Sequence, residues 1–174
     1  MHILAISGSL RAGASNTAVL QAAVLLSPPG VTITLYDGLG ALPHFNPDLD
    51  SPDGRALPAI VADLRSQVGH ADALLISCPE YAHGIPGSFK NLLDWLVGST
   101  EFPGKHVALL NTSPLSVHAP AQLAEVLTTM NARLIPEACV TVQPRRRGDS
   151  AAIIAADPEL SSALRGAIAA VLRN

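Results

Sequence analysis

Apolar residues in this chain fall into blocks of two kinds, and the two kinds alternate. Ile3 to Ile6, Ala73 to Cys78, His106 to Asn111 and Ala138 to Val142 are largely apolar runs of strand length, the pattern of strands buried on both faces. Val31 to Tyr36 is a strand-length run in which Thr32 and Thr34 alternate with apolar residues. Between them the apolar positions take helical spacing: Val19, Ala22, Ala23, Leu26; then Leu57, Ile60, Val61, Leu64, Val68. The same spacing returns at Phe89, Leu92, Leu93, Leu96, at Leu123, Val126, Leu127, Met130, and at Leu160, Leu164, Ile168, Val171. Strands separated by helices or long crossovers demand a parallel sheet covered on both faces. The expected fold class is α/β, a three-layer, doubly wound, five-stranded parallel sheet of order 2-1-3-4-5, in a single domain over residues 1–174. That order brings the carboxyl ends of strands one, three and four together at the switch point, where open sheets bind ligands.

Local punctuation agrees with this pattern. Ser27-Pro28-Pro29-Gly30 ends the first helix, Gly69 is placed to stop the second, and Asp157-Pro158-Glu159 reads as an N-cap, a first-turn proline and an acidic first turn for the last. Asp37 to Gly54 is rich in Gly and Pro and reads as a long irregular connection. Within it, Leu42 to Phe45 is expected to pack Phe45 on the body. Trp95 sits beside a complete apolar stripe, which points to the core or to a subunit interface.

The three loops at the expected switch point carry the candidate chemistry. Ser7 to Ser15 combines two glycines, three serines and Arg11 and leads into a helix for which Ser15 or Asn16 is a suitable N-cap. Free backbone N–H groups and the positive helix end suit an anion there, and Ser9, Arg11, Ser15 and Thr17 can complete a phosphate cradle. Neither a Walker A loop nor GxGxxG is present. The second loop, Pro79 to Gly87, places Glu80, Tyr81 and His83 after strand three, with glycines that let backbone approach a flat ligand. The third, Thr112 to Pro120, contributes Ser113.

Composition narrows the class. The 174 residues are 48% hydrophobic with a formal net charge of −3, enough apolar content for a core and no electrostatic reason to propose nucleic acid or an anionic membrane as partner. No membrane-length apolar run and no basic leader occur, so a cytoplasmic protein is expected. Cys78 and Cys139 both fall in expected buried strands, as small core hydrophobes rather than a redox pair. No metal-ligand spacing links them to the six histidines. Arg145-Arg146-Arg147, the basic cluster, reads as a solvated run, with the 2′-phosphate of a nucleotide as the alternative.

GSLRAGASN (Gly8 to Asn16), followed by PEYAHGIPGSFKNLLDWL (Pro79 to Leu96), resembles the NADPH-dependent FMN reductase family, a flavodoxin-like group of flavin, quinone, azo-dye and chromate reductases. The resemblance implies FMN as cofactor, NADPH or NADH as donor, a small-molecule electron acceptor, and a homodimer or homotetramer. It implies that Ser9, Arg11, Ser15, Asn16 and Thr17 hold the FMN phosphate. Pro79, Glu80, Tyr81, His83 and Gly84 would line the ring, with Ser113 on its pyrimidine side and no catalytic acid or base. The chain departs from the family at Ala119-Pro120, where relatives carry glycines. Pro120 is expected to hold Ala119 extended, so that the loop stands off and FMN binds less tightly. A flavodoxin-type electron carrier and a cofactor-free binding scaffold remain the alternatives.

Overall fold

The computed structural model describes residues 1–50 and 56–174. Its strands are β1 (His2–Ser7), β2 (Thr32–Tyr36), β3 (Ala73–Ser77), β4 (His106–Asn111), β5 (Arg133–Leu134) and β6 (Val140–Thr141). The helices are α1 (Ser15–Leu25), α2 (Ala59–His70), α3 (Gly87–Val97), α4 (His118–Thr129), α5 (Ala151–Ala156) and α6 (Pro158–Leu172). All strand pairings are parallel, in the order β2-β1-β3-β4-β5, which is the expected flavodoxin-like winding.

Alternation along the central strands builds the three layers. Ile3 and Ala5 of β1, with Ala73 and Leu75 of β3, join a core cluster with α1 and α6. Their neighbours Leu4, Ile6, Leu74 and Ile76 join a second cluster with α2, α3 and α4. Both faces are therefore dry, which is why these strands read as unbroken apolar runs.

The fifth strand position departs from expectation. The run expected from Ala138 to Val142 is strand only at β6, which pairs with Leu110 and Asn111, while His106 and Val107 are paired by β5, which lies ahead of that run. A 3-10 turn over Pro136–Ala138 separates β5 from β6. Pro136 has no N–H to give the ladder. Cys139 lies at this break and is exposed, not in a buried strand, whereas Cys78 is buried as expected.

Three further boundaries differ. Gly69 does not stop α2, which runs to His70. The connection after β2 contains 3-10 turns at Gly38–Ala41 and Pro47–Leu49, while the part of it at 51–54 lies outside the described residues. Helix α5, capped by the Ser150 side chain on Ile153 N–H, has no counterpart in the sequence reading. Asp157 caps α6 as expected, accepting from Glu159 and Leu160.

Trp95 belongs to the core. It is fully buried, its indole N–H donates to the Pro43 carbonyl at 2.8 Å, and Phe45 meets it edge-on at 5.0 Å. The apolar surplus that suggested a subunit interface at Trp95 is thus consumed inside the chain. Arg65 of α2 ties the same region together. Its guanidinium donates to both Asp50 carboxylate oxygens at 2.9 and 2.7 Å and to the Trp95 carbonyl, one of the orphan acceptors in the last turn of α3. Arg65→Met is expected to lower stability by about 2–3 kcal/mol, less than a fully buried pair because both side chains keep some solvent. Arg65→Lys should recover little of this, since an ammonium cannot form the fork. Urea denaturation of the three proteins checks both.

Candidate functional site

The parallel register aligns the carboxyl ends of β1, β3 and β4, pairing Ser7 with Ser77 and Ile76 with Leu109, so the loops that follow must share one edge. The first two loops touch. Gly8 N–H donates to the Ser77 carbonyl at 2.8 Å, and a Cβ on Gly8 would lie 2.6 Å from Cys78 Sγ. Only glycine lets the loop pass this close. The Cys78 thiol is pushed up to about 12 by burial, which makes it a wall, not a nucleophile.

The start of α1 is not capped as the sequence suggested. Helix α1 begins at Ser15, after Ala14, with no side-chain cap. Asn16 instead turns inward, is 5% exposed and donates to Ser77 Oγ at 3.0 Å, and Ser77 Oγ donates onward to the Leu110 carbonyl at 2.8 Å. With the cap missing, the backbone N–H groups of Ser15, Asn16 and Thr17 have no acceptor among the described residues. The hydroxyls of Ser7 and Thr17 bond each other at 2.8 Å, and Ser9 Oγ accepts from Arg11 N–H at 3.3 Å.

A cleft of about 490 Å³ opens above these groups, lined by Ser9, Arg11, Ser15, Asn16, Pro79, Tyr81 and Ser113 among the expected residues. Thr17 lines an adjoining cavity with Ser9 and Arg11. Glu80, His83 and Gly84 are not among the residues lining the cleft; they build the loop that carries Tyr81. Gln143, Arg146 and Arg147 also line it, a contribution the solvated reading of the basic run missed. Arg145 alone is tied down, paired with Asp157 and Glu159. Three consecutive arginines carry no sequence signal that distinguishes them.

The second loop is a tight hairpin. Tyr81 and Gly84 exchange both backbone hydrogen bonds, at 2.9 and 3.0 Å, across Ala82 at φ 50° and His83 at φ 61°. Two positive φ angles mark a type I′ turn, normally Asn-Gly. Ala and His there store strain on the order of 1–2 kcal/mol each. Helix α4 holds the hairpin in place. Glu80 accepts from the His118 and Ala119 amides at 2.8 and 2.9 Å, which holds its carboxyl below the usual range, and Gln122 Oε1 accepts from Ile85 N–H at 2.9 Å.

Glu80 also explains a failed expectation. Ala119 is helical in the first turn of α4 and buried, not extended. The carboxylate binds its amide there, and Pro120 falls among the first-turn positions whose N–H would have no partner anyway. The rest of the third loop is closed by Asn111, whose side-chain amide donates to the Ser113 and Ser116 carbonyls at 2.7 and 3.1 Å. Ser113 N–H is itself turned to Asn111 Oδ1 at 3.3 Å.

The family model for NADPH-dependent FMN reductase matches residues 1–145. The chain belongs to that family. It is 42% identical over 115 residues to an NAD(P)H-dependent FMN reductase of Pseudomonas aeruginosa, covering 65% of this chain and 60% of that protein. Over 141 residues it is 29% identical to a quinone reductase of Escherichia coli, covering 78% and 73%. Among solved structures, the flavoenzyme NAD(P)H:(acceptor) oxidoreductase FerB of Paracoccus denitrificans superposes with a TM-score of 0.77 at 28% identity, over 98% of this chain and 94% of that one. An archaeal flavodoxin superposes at 0.62 with 14% identity, over 99% and 98%, a likeness of fold alone. Arg146 and Arg147 lie just past the stretch the family model matches.

Two substitutions test the site's framework. Gly8→Ala is expected to cost about 1–3 kcal/mol through the contact with Cys78, and a Cys78→Ala background should return part of it, measured as a double-mutant cycle in urea. Ala82→Asn should raise stability by about 1 kcal/mol, because Asn tolerates the left-handed backbone that Ala resists. A thermal melt reads that difference.

Proposed function

We propose that this chain is an NAD(P)H-dependent, FMN-containing oxidoreductase that delivers electrons to a small-molecule acceptor such as a quinone, a flavin, an azo compound or a metal oxyanion. The observation that carries the reading is the uncapped start of α1. The unpartnered amides belong to Ser15 and Asn16, which line the cleft with Ser9 and Arg11, and to Thr17, which meets Ser9 and Arg11 in the adjoining cavity, an arrangement built for a phosphate monoester. A helix start left bare by Ala14 at its cap, with the nearby Asn16 side chain committed to Ser77, is completed by an anion.

In this reading Ser9, Arg11, Ser15, Asn16 and Thr17 hold the FMN phosphate. Pro79, Tyr81 and Ser113 border the ring, while Glu80, His83 and Gly84 support it through the hairpin. Bound FMN supplies the chemistry, taking hydride from the nicotinamide and passing electrons to the acceptor. The protein binds and orients, and no side chain is needed as acid or base. Arg146 and Arg147 add positive charge to the cleft that suits a second phosphorylated ligand such as the nicotinamide dinucleotide.

The same reading includes one domain over 1–174, supported by two cores sharing one sheet, and a cytoplasmic setting with access to NAD(P)H. No helix among the described residues is long and apolar enough to cross a membrane. A homodimer or homotetramer is supported by Leu115, 87% exposed, and Val117, apolar residues of the third loop that a second copy can cover.

Titration with FMN, followed by flavin absorption and then by NADH or NADPH oxidation with a quinone, tests the proposal. Binding without nicotinamide oxidation would leave an electron carrier, and no binding would leave a scaffold. Arg11→Ala is expected to weaken FMN binding about tenfold or more, since a charge-assisted hydrogen bond contributes roughly 1.5–3 kcal/mol. An unchanged titration would remove Arg11 from the phosphate site.

A further inference from the structure

We propose that Glu80, His83 and His118 form a binding site for one divalent transition-metal ion of the zinc type. One ligand atom from each of the three lies within 4.8 Å of the other two. The set mixes two imidazoles with one carboxylate, the donor chemistry that zinc and its first-row neighbours take, and three protein ligands leave the remaining positions to water.

Each ligand is presented by a separate device. Glu80 spends one oxygen, Oε2, on the His118 and Ala119 amides, which fixes the carboxylate beside the start of α4 and leaves Oε1 with no partner among the described residues. His83 is carried on the second position of the strained type I′ turn. His118 is the first residue of α4. The two imidazoles stack with centroids 4.2 Å apart and planes 25° from parallel. Both rings are exposed and free to rotate the short distance that brings the donors to the roughly 3.3 Å spacing of ligands around one zinc ion.

The site straddles the second and third loops, so an occupying ion fastens them together. Tyr81, which lines the cleft, sits between two of the ligands in sequence. The inference rests on these three residues and not on the flavin reading, and it can fail or hold independently of it.

The test is titration of the full chain with Zn²⁺ against a chromophoric chelator, with Co²⁺ absorption as a second readout. One Zn²⁺ per chain at micromolar or tighter affinity is expected, with a Co²⁺ ligand-field band. His118→Ala and His83→Gly should each weaken binding by at least about tenfold, since even outer-shell changes at metal sites cost that much. His83→Gly also relieves the turn, so lost binding there is not lost folding. Glu80→Gln should weaken Zn²⁺ while its amide oxygen still accepts from α4, leaving the thermal melt nearly unchanged. Absence of one-to-one binding, or binding that survives both histidine substitutions, overturns the proposal.

Discussion

Two hydrogen bonds in series underlie the candidate site: Asn16 to Ser77, and Ser77 to the Leu110 carbonyl. They join the start of α1 to β3 and β4 beneath the cleft, with Asn16 and Ser77 both buried. Buried polar groups of this kind are costly to leave unpaired, so the chain is held as a unit. Ala14 stands at the N-cap position of α1 and has no side-chain acceptor to offer, so the first amides of the helix stay bare beside the cleft that Ser15 and Asn16 line. The rigid floor comes from Asn16 and the anion-seeking rim from Ala14, two residues apart at one helix start.

The second and third loops depend on each other in a similar way. Glu80 leaves the hairpin to cap α4, and Gln122 leaves α4 to hold Ile85. Helix α4 lacks a cap of its own, and the hairpin lacks the residues that favour its turn. Each supplies what the other is missing. This reciprocity holds Ala82 and His83 in left-handed backbone, strain of the kind that concentrates at functional sites, and brings His83 against His118.

Period and punctuation along the chain determined the layer architecture, the strand order and the edge at which the loops meet, because burial on both faces leaves few ways to wind alternating strands and helices. The two motif loops were legible because glycine, serine and proline at strand ends have strong backbone consequences. Ser9, Arg11, Ser15, Asn16, Pro79, Tyr81 and Ser113 could be named from the chain and do line one cleft. Their division of labour could not. Asn16 looks like a cap in sequence because it stands at a helix start, and only the position of Ser77, 61 residues away, turns it inward.

The remaining differences share that cause. Trp95 beside a full apolar stripe looks like surplus until the Pro43 carbonyl and Phe45 arrive from a loop about fifty residues earlier to enclose it. Ala119 before proline looks extended until Glu80 binds its amide in helical geometry. Six scattered histidines show no ligand spacing until the third loop delivers His118 to His83 and Glu80. Local sequence determines what a residue prefers when its neighbours in the chain decide. Where a partner comes from a distant loop, its hydrogen bond or packing outweighs a preference worth about 1 kcal/mol, and only the tertiary structure decides which partner that is.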